Sequence, residues 1–389
     1  MERLWNSNYI KVWVSNFMIF FSFMLLTPLL PIYMAETFHA DKDLIGLVLS
    51  GYTLMALLMR PFSGYLVDSF PRKAVLLISY VLFCALFAGY MVAGTILLFA
   101  IIRTLHGMPF GATTVANSTV AIDVLPSSRR SEGIGYYGLS NNIATAIGPT
   151  IAILIYEACH SYEVLFALSL VISTIGFGLC CTLKLPKRAT QKRPALSLDR
   201  FILLKGSWLG MAMCCYSFSY GVLATYIAIY GKQELGITSG TGYFFMILSC
   251  GLILSRLVGG RSLRKGRIVE NASFGVVVSL FGYLLFAAVH NSWGYYGAAL
   301  IIGLGNGHMF PAFQNMFINL APHQQRGTAN STLLVSWDIG MGLGILIGGA
   351  IAEYLGYIAA FWGAWIVNVM GVLLFLLIAR KHYLKNRLR

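Results

Sequence analysis

The sequence predicts an all-α membrane protein of twelve transmembrane helices, organised as two six-helix bundles. Three observations carry this prediction. The 389-residue chain is 58% hydrophobic and only 11% charged, where a soluble chain carries about a quarter charged residues. Its apolar residues fall into twelve runs, each near the ~20 residues needed to cross a bilayer as a helix. The longest polar segment, 184–200, falls close to the middle of the chain and leaves six runs on either side.

The runs cover 9–33, 44–67, 74–92, 96–121, 133–156, 164–183, 204–230, 241–258, 272–289, 293–318, 328–352 and 358–379. None alternates with the period of a barrel strand. That leaves helices, the other structure that satisfies every backbone group in lipid. The first run has Arg3 ahead of it and Lys11 near its start, but it continues to Tyr33, longer than the core of a signal peptide, so it is expected to be retained. Between the second and third runs lies a polar island, 64–73, of sequence GYLVDSFPRK. It is too short for a domain and is expected to form a tight loop at one membrane face. Lys and Arg are concentrated in alternate connections, including Arg72, Lys73, Arg129, Arg130 and 256–267, and in the tail 380–389. By the positive-inside rule these face the cytoplasm, with both termini. The net charge of +14 is spread through such short segments, which argues against nucleic-acid binding. The seven cysteines lie in or beside apolar runs without metal-site spacing, so neither a zinc site nor a structural disulfide is expected.

The expected domains are 1–183, a basic cytoplasmic linker at 184–203, and 204–389. Pro186, Pro194 and the bases of the linker suit either a segment lying on an anionic leaflet or a solvated loop. The halves read as repeats. Ile101-Ile102 through Gly107 recurs in form as Ile301-Ile302 through Gly307. Leu125-Pro126 with Arg130 recurs as Ala321-Pro322 with Arg326, and Arg60 through Gly64 recurs as Arg256 through Gly260. Two parallel repeats of this kind place a substrate site at their interface near the midplane, with access from alternate sides.

Charges inside apolar runs are the sharpest functional signal, because burying one costs several kcal/mol by most estimates. Asp338 is the one acid deep in a run, amid Trp337, Gly340, Gly342 and Gly344. It is either a proton carrier or a structural carboxylate bonded across a glycine-rich face. Arg103 reads as the only base buried in a span; its role is electrostatic, unless it snorkels outward. His106 and His308 titrate near neutral pH in solution and suit proton coupling or simple hydrogen-bonded packing. Asn141 and Asn142 could bind substrate or join helices. Tyr216 and Tyr220 share one helical face, as do Tyr226 and Tyr230. Such a face suits a cavity for a partly apolar compound, or membrane anchoring, with Tyr230 as the anchor. Asn306 and Gln314 are further cavity candidates.

The island's pattern, Gly64, Asp68, Arg72 and Lys73, resembles the signature loop between helices 2 and 3 of the major facilitator superfamily, with Pro71 where that family usually has Gly. The resemblance extends over the whole chain, from Pro28 and Pro31 to the glycine-rich eleventh run. It implies the major facilitator fold and a gate in which Asp68 meets the start of the eleventh helix near Arg326 and Thr328, while Arg72 pairs with Asp123. The second-half counterpart, 260–267, has no acid. Arg103, followed by His106 and Gly107, is similar to the helix-4 motif of proton-coupled members, with His106 in the place of a Gln. Gly148-Pro149 resembles the bend motif of drug antiporters, without the glycine pair that follows it there. The segment from Asp123 to Gly133 is similar to those of opine-chelator exporters and arabinose-type efflux permeases. What the resemblance implies is a secondary transporter, not an enzyme, running on a proton gradient without a cofactor. It would act as a monomer in the bacterial cytoplasmic membrane and export a small organic compound. An importer or facilitator of the same fold is the alternative. No paired acids, metal-ligand cluster, nucleophile motif or soluble domain supports a membrane enzyme or a receptor.

Overall fold

The structure is a computed structural model that describes residues 3–40, 42–185, 197–237 and 241–388. Pro186, Pro194 and most of the expected linker lie outside the described residues. Among those described, twelve long helices follow one another. In the first half they are α1 (Ser7–Leu26, resuming as Leu30–Phe38), α2 (Lys42–Ser69), α3 (Arg72–Val92), α4 (Ile96–Val124), α5 (Arg130–Cys159) and α6 (Tyr162–Cys181). In the second they are α7 (Ser207–Gln233), α8 (Thr241–Arg264), α9 (Ile268–Ala288), α10 (Ser292–Leu320), α11 (Arg326–Leu355) and α12 (Tyr357–Leu374, continuing to Asn386). Ten of these segments are long and apolar enough to cross a membrane; α7 and α10 complete the twelve.

The local causes are legible. Asn6 caps α1 by accepting the Tyr9 N–H at 2.9 Å, satisfying one of the first-turn donors a helix leaves open. The first run was expected as one helix, but it breaks at Thr27–Leu29 around Pro28, which has no N–H to give the helical ladder. The island 64–73 is also not the loop expected. α2 runs through Ser69, and only Phe70 and Pro71 separate it from α3. Charged residues extend a helix past the apolar zone without ending it; Pro71 ends it.

The chain divides into two compact units. Unit 1 comprises Met1–Ser128, Ser140–Ile202 and Gln324–Ser331; unit 2 comprises Arg129–Leu139, Leu203–His323 and Thr332–Arg389. Unit 1 therefore contains the first turns of α11, and unit 2 the first turns of α5. Within unit 1, α2 packs on α4, α1 on α6, and α3 on both α4 and α6; within unit 2, α8 and α9 pack on α10, and α7 and α9 on α12. The core of unit 2 includes Phe244, Tyr283, Phe286, Tyr295 and Phe361.

The internal repeat has one register, which two of the three sequence matches already carry and the match of Ile101–Ile102 to Ile301–Ile302 does not. α3 and α9 each have 21 residues, α4 and α10 each 29, and α5 and α11 each 30. A Cβ on Gly107 would overlap the carbonyl of Tyr52, and one on Gly303 would overlap the carbonyl of Leu248. These two glycines bring α4 against α2 and α10 against α8 in the same way. Gly107 therefore corresponds to Gly303, one helical turn from the Gly307 that the resemblance of Ile101–Ile102 to Ile301–Ile302 selects. The same separation relates the N-caps Thr95 and Asn291, and Arg60 with Arg256.

Candidate functional site

The polar residues of the α2–α3 junction converge on the start of α11, all within unit 1. The first N–H groups of any helix lack intrahelical acceptors and carry partial positive charge. Asp68 takes them up: its Oδ1 accepts the Gly327 N–H at 2.9 Å, and its Oδ2 accepts the Thr328 N–H at 2.8 Å and the Thr328 hydroxyl at 3.0 Å. Gly64, one turn before Asp68, allows this approach. A Cβ there would lie 3.0 Å from the Thr328 Cα and 2.8 Å from the Ser331 Cβ. The Ser331 hydroxyl donates to the Arg60 carbonyl at 2.5 Å, and Asn330 donates to Ser118.

Around this contact two acids and two bases balance in charge, all buried except Asp123, whose side chain is 22% exposed. Arg72 lies 3.5 Å from Asp68 and is ion-paired with Asp123. Arg326, 2% exposed, stands 3.1 Å from the other oxygen of Asp123. Lys73 points elsewhere: its ammonium donates to the carbonyls of Cys181 and Leu183, both at 2.8 Å. It closes the C-terminal end of α6, where free carbonyls and the helix dipole favour a cation.

A second polar group lies deeper in unit 1. Arg103 is 3% exposed, and its guanidinium carbon sits 4.1 Å from the centre of the Tyr52 ring and 5.4 Å from that of Phe23. Its Nη1 donates to the Tyr90 hydroxyl at 3.2 Å, and that hydroxyl lies 2.8 Å from His106 Nδ1. His106 is fully buried, with its ring centred 4.8 Å from that of Phe83 and 4.7 Å from that of Phe87. One aromatic hydroxyl thus joins a permanent cation to an imidazole inside a helical bundle, while the rings stabilise the cation through their faces. In the repeat, Tyr90 corresponds to Phe286 and His106 to Ile302, so only the first half carries this chain. Arg103 is not the only buried base: Arg60 is 8% and Arg256 5% exposed. Arg60 lies seven residues inside the run 44–67 and Arg256 two residues inside 241–258, and helix packing covers both.

The remaining candidates are dispersed. Asp338 is half-buried on the part of α11 that belongs to unit 2. Its neighbour Trp337 is centred 5.5 Å from the rings of both Tyr220 and Phe310. Tyr216 is 1% exposed, edge-on to Phe313. Tyr230, read as the membrane anchor, is instead a core residue at 1% exposure, between Phe286 and Phe361. Asn306 accepts the Ser279 hydroxyl at 3.3 Å, tying α10 to α9, and Gln314 is buried on the same helix. His308 turns its Nδ1 to the Leu304 carbonyl at 3.1 Å. Asn141 and Asn142 are half-buried on α5. Gly148 packs against Met24, where a Cβ would approach to 2.6 Å; α5 continues through Pro149 to Cys159.

The family model of the Major Facilitator Superfamily matches residues 12–315 and 271–388. The chain belongs to the Major Facilitator Superfamily. It is a multi-pass membrane transporter, not an enzyme. Among relatives in this superfamily, the staphylopine export protein of Staphylococcus aureus is 24% identical over 94% of this chain and 93% of its own length. The quinolone resistance protein NorA of the same species is 22% identical over 90% of each. Among solved structures, the human organic anion transporter MFSD10 (TETRAN) aligns with a TM-score of 0.82 at 17% identity, covering 95% of this chain and 98% of that one. The Escherichia coli fucose:proton symporter FucP aligns with a TM-score of 0.77 at 15% identity, covering 98% and 99%.

Within this superfamily fold, sequence reasoning missed Tyr52, Tyr90 and the pairing of Arg326 with Asp123. Tyr90 is one aromatic among many in an apolar run, with no local mark of its partner. Arg326 did carry a signal, since it opens α11 as Arg130 opens α5.

Proposed function

We propose that this superfamily member is a proton-coupled exporter of a small organic compound that works by alternating access. The observation that carries the coupling is the Arg103–Tyr90–His106 chain. A buried cation is costly in a membrane helix and is retained where it serves ion or substrate movement, and a hydroxyl between Arg103 and His106 links the cation to a group that can gain and lose a proton. Asp338 is the companion carboxyl on α11. The contact of Asp68 with Gly327 and Thr328 is the latch: while it holds, the first turns of α11 are fixed to the α2–α3 junction; its release lets α11 move. Export as the direction follows the likeness to two proteins named for export and drug resistance, each along nine-tenths of the chain or more. In this reading the protein sits in the bacterial cytoplasmic membrane with both termini inside.

The test is proton movement in proteoliposomes across a panel of opine-type chelators and quinolones, with wild type beside Asp338→Asn and Tyr90→Phe. A compound that releases protons with wild type, and does so at least tenfold more slowly with either variant, supports the reading. Transport down a gradient with no proton movement makes the protein a facilitator, and net uptake coupled to proton entry makes it a symporter.

A further inference from the structure

A cleft of about 350 Å³ lies within unit 2 between the last turns of α8 and the first turns of α9. Its floor is His308 of α10. The Nδ1 of that ring lies against the Leu304 carbonyl, which can only accept, so Nδ1 carries the proton and Nε2 presents a lone pair. Gly259 keeps the floor open: a Cβ there would stand 3.1 Å from Nε2. Asn271 lines the wall and donates to the Ser262 hydroxyl at 2.8 Å.

The rim has two chemistries. One lip is charged, with Arg267 and Glu270 at the start of the 21-residue helix α9. The other is apolar and turned outward: Val258 is 69% and Phe274 55% exposed. In a membrane-spanning protein such residues meet acyl chains, and the charged lip lies at headgroup depth, at the end of the spans that carries the basic connections. A soluble anion would use Arg267 and leave Val258 and Phe274 idle. A diacyl lipid without phosphate would do the reverse. The positions equivalent to Arg267 and Glu270 in the first half are Pro71 and Ala74, so the charged lip belongs to the second half alone.

We propose that this cleft is a binding site for a phospholipid. Its phosphodiester is held by Arg267 and the positive end of α9, its glycerol or headgroup polar atoms face His308 Nε2 and Glu270, and its acyl chains run along Val258 and Phe274. Basic clefts between transmembrane helices at the membrane surface are a recurrent way to hold lipid headgroups.

The experiment uses the purified full chain in detergent, with native mass spectrometry to count adducts and thermal melting to read stabilisation. The probes are dioleoyl-phosphatidylglycerol, dioleoyl-phosphatidylethanolamine, dioleoylglycerol and inorganic phosphate. A phospholipid adduct that survives delipidation is expected, with apparent affinity falling about fivefold in Arg267→Ala and more in Arg267→Glu, and unchanged in Arg264→Ala, an exposed base outside the cleft. Both positions are exposed, so the fold tolerates these changes. Equal binding of dioleoylglycerol, equal stabilisation by inorganic phosphate alone, or an equal loss in Arg264→Ala would each overturn the proposal.

Discussion

The carboxylate of Asp68 accepts the Thr328 N–H at 2.8 Å and the Thr328 hydroxyl at 3.0 Å, across 260 residues of chain. It also accepts the Gly327 N–H, so this one side chain serves as the N-terminal cap of α11. An acid four residues before Arg72 thereby completes a helix that begins in the other half of the sequence.

Asp68→Asn keeps the shape but replaces one acceptor oxygen with an NH₂ that faces donors. Charge-assisted hydrogen bonds are each worth about 1.5–3 kcal/mol, so the folded protein should lose about 2 kcal/mol, seen as a lower melting temperature in detergent. Transport should change with it. An unchanged melt together with unchanged transport would show that the contact holds nothing.

Asp123 stands against both Arg72 and Arg326, whose side chains are 5% and 2% exposed. Asp123→Asn removes a carboxylate shared by two buried guanidiniums, but Asp123 is itself 22% exposed and Arg72 keeps Asp68, so the loss should stay near the lower end of the cost of breaking a buried pair, about 3 kcal/mol. The double variant Asp123→Asn with Arg326→Gln should recover part of that loss, because the two positions share one network and their effects cannot add. Strict additivity in the melting series would remove the pairing.

Tyr90→Phe deletes only the hydroxyl that joins Arg103 to His106. The ring has a precedent for packing, since Phe286 occupies the equivalent place in the second half. Expression and monodispersity should therefore match wild type, while proton-coupled transport falls at least tenfold. Equal rates would assign the hydroxyl a packing role alone.

Gly107→Ala and Gly303→Ala should each disrupt the contact with α2 or α8, because the new Cβ would enter the carbonyl of Tyr52 or Leu248. Overpacking of this kind costs about 1–3 kcal/mol. Gly178→Ala, with nothing within 4 Å of its Cβ position, is the neutral control. Size-exclusion profiles of fluorescent fusions check all three, and equal behaviour would refute the close approach.

Much of this protein was legible in the sequence, because the bilayer is a demanding solvent. A helix that crosses it must be apolar over about 20 residues, and that demand writes each span into the composition. Polar residues that must meet across the fold carry no such local mark. Arg103 read as the only base buried in a span although Arg60 and Arg256 also lie within runs, and Tyr90 looked like one more membrane aromatic. The repeat was visible, yet short apolar matches such as Ile101–Ile102 and Ile301–Ile302 cannot choose between registers one turn apart, since residues a turn apart share a helical face.

The sequence by itself determined the class of the protein and its twelve spans, because burial in lipid and the positive-inside bias act on each segment separately; that Asp68 meets the start of α11 was implied by the resemblance of its loop to the family signature. Only the tertiary structure decided that Arg103 reaches His106 through Tyr90, that Arg326 shares Asp123 with Arg72, and that Lys73 serves α6. Those choices depend on which helix faces which, and that is set by glycine contacts and side-chain reach between residues far apart in the chain.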